Sequence, residues 1–307
     1  MVAITTTQNA DLINAATLNS LIYELIADKT DIRGLVWYTD DPTGSGSNVV
    51  KIPQVAFDEV MSSPSEGSSV ANSTLGDGTA SATVVRHALR YDRTDLMALI
   101  QGGMMTNDRL AAGIAMSAVR RAAGLIMTQI ATAAATVGTT GTDLSVDNVL
   151  SAQFTLMEAN VSGMPACVLE GHQFTEFINS LRGESGALGT GPGAGDTREM
   201  IRMSDMGFKG PWNGIQFWVS DQVTDDATDY FGGMWVMGGI AGAEASPVLS
   251  NAEIPASQFL AAARPDSSIW VEFERDASAG LTELVGNYYA GFILNEDAKC
   301  VQLQSVM

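Results

Sequence analysis

The residues that could do chemistry in this 307-residue chain are few: two histidines, His87 and His172, and two cysteines, Cys167 and Cys300. Cys167 and His172 stand five positions apart across a predicted strand-to-helix turn, too wide for a standard zinc pair, and no third or fourth ligand is apparent. Both cysteines are expected as reduced, buried thiols. Asp225, Asp226 and Asp229 could hold a hard cation, but the spacing lacks the Gly and Glu of a calcium-binding loop, and a solvated acidic turn is expected. The glycines Gly186, Gly189, Gly191, Gly193 and Gly195 suggest a phosphate cradle. A P-loop needs a terminal Gly-Lys-Ser/Thr, however, and this segment ends in Asp196, so a flexible loop is expected. There is no Gly-x-Ser-x-Gly elbow. So poor a set of convergent polar groups argues against an enzyme, and no catalytic residue, metal or cofactor is expected.

Charge excludes another class. The net charge is −19, with 16 basic residues, only four of them Lys. Residues 1–142 carry net −4 and residues 143–307 net −15. Tight nucleic-acid binding draws its affinity from Lys and Arg that displace counterions, so it is not expected here. The acidic excess serves either plain solubility or a surface that faces nucleic acid without sticking to it. Against this background Arg86, Arg90, Arg93, Arg109, Arg120 and Arg121 gather six of the sixteen basic residues into 36 positions. Two readings stand: pairing with Asp residues nearby in the same chain, or docking onto an acidic neighbouring subunit.

The elements that must position these residues centre on Asn48–Ala135. Two strand-like arms, Asn48–Phe57 and Ala80–Tyr91, flank a polar segment, Asp58–Thr79, that contains no Lys or Arg. Segments of this length inside a domain are uncommon without a function. The hairpin is too long to bury itself on one subunit and reads as an arm that lies on a neighbour. In the return arm Ala80, Ala82, Val84 and Arg86 alternate with Ser81, Thr83, Val85 and His87, the period of a strand. Pro53 makes the outgoing arm an edge or bent strand. A long helix starts near Thr106, with Leu110, Ile114, Ala118, Ala122, Ile126 and Ile130 as one apolar stripe.

Before the hairpin, Asp11–Asp28 has a weak helical period, and Arg33–Tyr38 is a short β-rich run. After the long helix the pattern is α+β. Ser145 caps a helix expected to turn Val146, Leu150, Phe154 and Met157 inward. Pro165–Leu169 is a buried strand, and His172–Arg182 a helix with Phe174, Phe177, Ile178 and Leu181 inward. A short helix over Asp196–Met206 follows, then strands at Gly214–Ser220, Tyr230–Met237 and Ser268–Glu274, and a long β-rich run from Gly286 to Gln304. No run of 18 apolar residues or secretory signal is visible.

This order of elements resembles the major capsid proteins of tailed bacteriophages, which have the Hong Kong 97 (HK97) type of fold. Val50–Phe57 with Ala80–Tyr91 corresponds to that family's extended loop, and Asp108–Ala135 to its spine helix. Pro165–Arg182 followed by Gly-rich sequence resembles the axial domain, and Gly210–Val223 its glycine-then-strand element. The resemblance covers nearly the whole chain and is one of order and texture, because the family shares few invariant residues. It implies an α+β, HK97-like fold with an N-terminal arm at 1–32 and the start of the peripheral domain at 33–47. The extended loop would occupy 48–93 and the rest of the peripheral domain, with the spine helix, 94–142. An axial domain at 143–245 and a C-terminal peripheral part at 246–307 would complete the chain.

The function so implied is a structural shell protein. Copies would form hexamers and pentamers that tile an icosahedral head around double-stranded DNA, assembled in the host cytoplasm, without specific DNA binding or membrane contact. The loop-tip residues Asp58, Glu59, Glu66 and Asp77 would touch neighbouring subunits, and Gly186 to Gly195 would lie at the capsomer centre. The family's known crosslink joins a loop Lys to a neighbour's Asn. Here the tip has no Lys and only Lys51 lies at its base, so no covalent crosslinking is expected. Expected partners are a scaffolding protein, a portal and a cement protein. Two alternatives remain: an encapsulin-type nanocompartment shell, or an α+β hydrolase or ligand-binding protein with an unusual arm.

Overall fold

The computed structural model describes residues 31–39, 47–56, 66, 76–95, 107–159, 161–183, 207–245, 269–276 and 278–307, and within a few of its elements the backbone only. The expected helices at Asp11–Asp28 and Asp196–Met206 lie outside these residues.

The described chain opens with a 3₁₀ turn, Ile32–Leu35, capped by Asp31, whose carboxylate accepts from the backbone N–H of Arg33 at 2.9 Å. Strand β1 (Trp37–Tyr38) follows, then the hairpin strands β2 (Val49–Ala56) and β3 (Gly76–Thr83), and β4 (Val85–Thr94). The expected return arm is thus one extended run broken only at Val84. Its first half pairs with β2, from Thr83 opposite Val49 to Gly76 opposite Ala56. Its second half enters a different sheet. At the break, the Val84 N–H donates to the Asn48 carbonyl at 2.8 Å, and the Asn48 amide returns a bond to the Val84 carbonyl.

The long helix α1 (Asn107–Ile130) comes next, followed by β5 (Thr136–Gly138), α2 (Val146–Glu158), β6 (Ala166–Leu169) and α3 (Gly171–Gly183). At 24 residues α1 runs about 36 Å, given 1.5 Å per residue. The remainder is β-rich: β7 (Gly207–Trp212), β8 (Ile215–Val219), β9 (Thr224–Asp225), β10 (Asp229–Trp235), β11 (Ile240–Glu244), β12 (Ile269–Asp276), β13 (Leu281–Leu294) and β14 (Cys300–Val306). Strands β7 and β8 meet across Asn213-Gly214, both with positive φ, the two-residue turn whose twist matches antiparallel strands.

Two larger sheets result. In the five-stranded one β13 is central: β4 runs along one edge over Leu281–Ala290, while β12 and β11 share the other, and β1 extends β11 in parallel. The seven-stranded sheet runs β5-β14-β10-β6-β8-β7, with β9 beside β10. The chain passes between these two sheets three times, from β4 to β5, from β10 to β11 and from β13 to β14.

Helix α1 packs on both sheets. Its expected stripe is buried at Ile114, Ala118, Ala122, Ile126 and Ile130, joined by Ala123 and Met127. Toward its start the helix meets Leu284 and Tyr288 of β13; toward its end it meets Trp235 and Cys300 of the other sheet. A second core lies beneath α2 and α3, built on Phe177, Phe217, Leu169 and Leu303. Phe177, Ile178 and Leu181 are buried as expected, with Phe174 partly so.

The expectation for α2 requires correction. Its buried face is Val146, Val149, Ala152 and Leu156, while Leu150, Phe154 and Met157 face outward. Both stripes satisfy the helical period, and packing selects the less bulky one. The choice is fixed by α3, which supplies acceptors to the start of α2. The buried Glu176 carboxylate takes the Leu144 N–H at 2.9 Å and Ser180 Oγ takes that of Val146 at 3.1 Å. Ser145 caps the helix as expected, accepting from Asn148 N at 3.2 Å. Together they satisfy amide donors that a helix N-terminus otherwise leaves open.

Candidate functional site

The base of the hairpin is seated on its own chain. Ile52, Ala82 and Val84 are buried against Ala241 and Ala243 of β11, forming a small third core. The small side chains of β11 make room for the hairpin, and the backbone of Gly291 admits its bend. A Cβ at residue 291 would lie 2.2 Å from the Thr83 carbonyl oxygen. Gln54 on β2 also donates to the Asn295 carbonyl. The expectation that the arm cannot bury itself therefore does not extend to the arm's root.

Of the expected tip residues, Asp58 and Glu59 lie outside the described residues, Glu66 is exposed in a turn, and Asp77 lies on β3 opposite Val55. The glycines 186, 189, 191, 193 and 195 also lie outside them.

The arginines are placed on β4 and α1. Arg86 donates its Nε to Asn287 Oδ1 at 2.7 Å. Arg90 pairs with Asp92 at 2.6 Å and Glu283 at 2.7 Å. Arg120 reaches Asp221 at 3.2 Å, and Arg121 Nε donates to His87 Nδ1 at 3.1 Å. Arg93 lies on β4 opposite Thr282 and Arg109 in the first turn of α1, with side chains outside the described set. The Arg90 and Arg120 pairs are about half exposed, where such pairs contribute little to stability.

A cleft of about 360 Å³ opens between α1 and the β4–β13 pair, lined among others by His87, Ser117, Arg121 and Tyr288. Burial, then the neighbouring Arg121 charge, hold the His87 pKa below its ordinary value, and the ring is backed by a cation and not by a carboxylate. The Tyr288 hydroxyl is committed to Glu244 at 2.8 Å.

That Glu244 carboxylate anchors a part-buried polar cluster not anticipated from sequence, in which Tyr288 is buried and Tyr38 exposed. It also accepts from Tyr38 at 3.3 Å and pairs with Arg33 at 3.5 Å, while Asp31 grips Arg33 at 2.6 Å. Burial works against the Arg33 charge, yet Asp31 and Glu244 lift its pKa above the ordinary arginine value. Burial, with Glu244 adding to it, pushes the Tyr38 and Tyr288 hydroxyls up. The cluster ties the 3₁₀ turn to β1, β11 and β13.

The other chemical candidates resolve as structure. Cys167 and Cys300 are free and buried, with burial pushing both thiols up. His172 is exposed beside Glu176, at 3.1 Å. Asp225 and Asp226 cap their own turn, accepting from the N–H groups of Ala227 and Thr228, and Asp229 is buried between the Gly141 N–H and the Gln304 amide. Among the described residues no three His, Cys, Asp or Glu side chains gather as a metal site, and no helix is long and apolar enough to cross a membrane.

No protein-family model matches the chain, and no curated protein matches it in sequence. Solved structures do match in fold. The capsid of Ralstonia phage GP4 aligns at a TM-score of 0.61 and 9% identity, covering 91% of this chain and 92% of that one. A structure from Mycobacterium phage Che8 aligns at 0.58 and 15%, covering 84% and 85%. The SrpI encapsulin complex from Synechococcus elongatus aligns at 0.58 and 14%, covering 98% and 95%. The chain has the HK97-type capsid fold.

Proposed function

We propose that this chain is a shell-forming protein, and specifically the major capsid protein of a tailed bacteriophage, building hexamers and pentamers of an icosahedral head around double-stranded DNA. The observation that carries the reading is the likeness in fold to a phage capsid structure over 91% of the chain. The charge supports the finer statement. A net charge of −15 over residues 143–307 suits an interior that must leave packaged DNA mobile.

On this reading the divisions at 1–32, 33–47, 48–93, 94–142, 143–245 and 246–307 are the arm, loop, peripheral and axial parts. The tip residues Asp58, Glu59, Glu66 and Asp77 reach a neighbouring copy, and Gly186–Gly195 surrounds the capsomer centre. The arginines at 86, 90, 93, 109, 120 and 121 offer carboxylates of adjacent copies the guanidinium N–H groups that their contacts within the chain leave over. Scaffolding, portal and cement proteins are the partners, the site of assembly is the host cytoplasm, and the chain performs no catalysis and forms no isopeptide bond.

Electron microscopy of the protein, expressed alone and with the products of neighbouring phage genes, tests the reading. Heads that fill with DNA only when the packaging machinery is present are expected. Closed particles that instead enclose an enzyme would establish the encapsulin alternative, to which the 98% coverage by an encapsulin structure lends support. A monodisperse monomer under every condition would overturn both. Assembly is expected to improve at moderate salt, because ions at 0.1 M screen repulsion beyond about 10 Å. Light scattering that does not change with ionic strength would count against that.

A further inference from the structure

The cleft between α1 and the β4–β13 pair has a charge pattern opposite to that of the chain. Acidic residues outnumber basic ones 35 to 16 in the sequence, yet among the described residues that line the cleft none is acidic, and Arg86 and Arg121 are cations. Arg86 is engaged at Asn287. Arg121 stands one helical turn after Ser117 on α1, so both reach the cleft from the same side of the helix. Its Nε donates to the uncharged acceptor Nδ1 of His87 at 3.1 Å, which leaves its Nη groups uncommitted among the described residues. Arg90 and Arg120 differ, since each is paired with a carboxylate. The wall beside Arg121 is apolar: Ile114 and Ala118 from α1 and Ile269 from β12 are all buried.

We propose that this cleft binds a small organic carboxylate, its charged end gripped by the Nη edge of Arg121 and the Ser117 hydroxyl, its apolar body laid on Ile114, Ala118 and Ile269. The chemistry selects this class of ligand. A guanidinium fork matches a planar carboxylate through two parallel hydrogen bonds. Inorganic phosphate would leave the apolar wall uncovered, and an uncharged apolar molecule would leave the guanidinium without a counter-charge. The volume of about 360 Å³ falls in the range of small-molecule pockets, roughly 300–1,000 Å³. An apolar wall with a few convergent polar groups is also the usual lining of such pockets. The bond to His87 holds the Arg121 side chain in position beforehand, so less ordering is left to oppose binding. The site lies within one copy, and the inference therefore stands whether or not copies close into a shell.

Calorimetric titration with three probes tests this: benzoate, which has both parts, benzyl alcohol, which lacks the charge, and inorganic phosphate, which lacks the apolar body. Benzoate is expected to bind once per chain and about tenfold or more tighter than either of the others, the effect of a charge-assisted hydrogen bond. Arg121→Gln should weaken benzoate by about the same factor and leave benzyl alcohol unchanged. Arg121→Lys, which keeps the charge but not the fork, should fall between. Circular dichroism and thermal melting confirm that the variants fold. The two histidines locate the bound molecule without any mutation, since His87 lines the cleft and His172 lies on α3 beside Glu176. In magic-angle-spinning NMR of protein carrying isotope-labelled histidine, which suits subunits and shells alike, benzoate should move the His87 signals and leave those of His172 in place. The absence of saturable benzoate binding overturns the proposal. So do equally tight binding of benzyl alcohol, unchanged benzoate affinity in folded Arg121→Gln, and movement of His172 in place of His87.

Discussion

Gly233 on β10 lies against Ile130 at the end of α1: a Cβ at residue 233 would stand 2.2 Å from Ile130 Cγ2. Gly286 on β13 has the same relation to Ile114, at 2.9 Å. The helix therefore approaches both sheets where a side chain is missing. Gly233→Ala should cost about 1–3 kcal/mol through overpacking, and Ile130→Ala about 2–5 kcal/mol through the cavity left. The two sites touch, so the double variant should lose less than the sum. Urea unfolding of the three proteins measures this, and strict additivity would refute the contact.

Glu244 accepts from two tyrosine hydroxyls and faces Arg33, so Glu244→Ala should strand the buried Tyr288 hydroxyl, while Arg33 keeps Asp31 and Tyr38 is exposed. A loss of about 1–3 kcal/mol is expected for leaving a buried group unsatisfied. Tyr38 and Tyr288, shifted up by burial and then by Glu244, should stay protonated in alkaline solutions where free tyrosine ionises. Absorbance of tyrosinate against pH reads this directly: in the folded wild type part of the signal should be missing and should return on unfolding.

His87 has a depressed pKa, from burial first and Arg121 second. Its unfolded state therefore binds the proton more readily than the native one. The stability it contributes is complete above its unfolded value, ordinarily about 6.5, and is lost as pH falls through the lower folded value. Unfolding followed from pH 8 to pH 5 should show stability declining with acidity, and His87→Gln should flatten that slope. An identical slope in the variant would remove His87 as its source.

Cys167 and Cys300 should be unreactive toward a disulfide reagent at pH 8, since both are buried and burial disfavours their thiolates. Two equivalents should react once the protein is unfolded in guanidinium. Rapid reaction of the native protein would contradict the packing around β6 and β14.

Much of this was legible from residues with a strong pattern. The stripe on α1, the alternation from Ala80 to Arg86, the Phe177–Leu181 face of α3 and the two buried thiols all follow from spacing and polarity. Strand β11 was not, because Ile-Ala-Gly-Ala-Glu has little β-propensity; its small residues matter for what they admit, the buried Ile52 and Ala82. Helix α2 carries two apolar faces, and periodicity cannot say which one has a partner inside the chain. The Glu244 cluster joins residues about two hundred positions apart, a proximity that no local pattern encodes. The break at Val84 was equally silent, since alternation continues through it while the pairing partner changes from β2 to β13.

That change of partner has a mechanical consequence. A pull on the hairpin along its length passes through Val84 into β4, whose ten residues are paired with β13 from Val85 opposite Ala290 to Thr94 opposite Leu281. Tension along the strand axis loads this ladder in shear, so its hydrogen bonds share the strain together and do not open one after another. The hairpin's root is clamped along a full strand, and load entering it is carried through β4 into β13, the central strand of the five-stranded sheet, not left at a flexible joint.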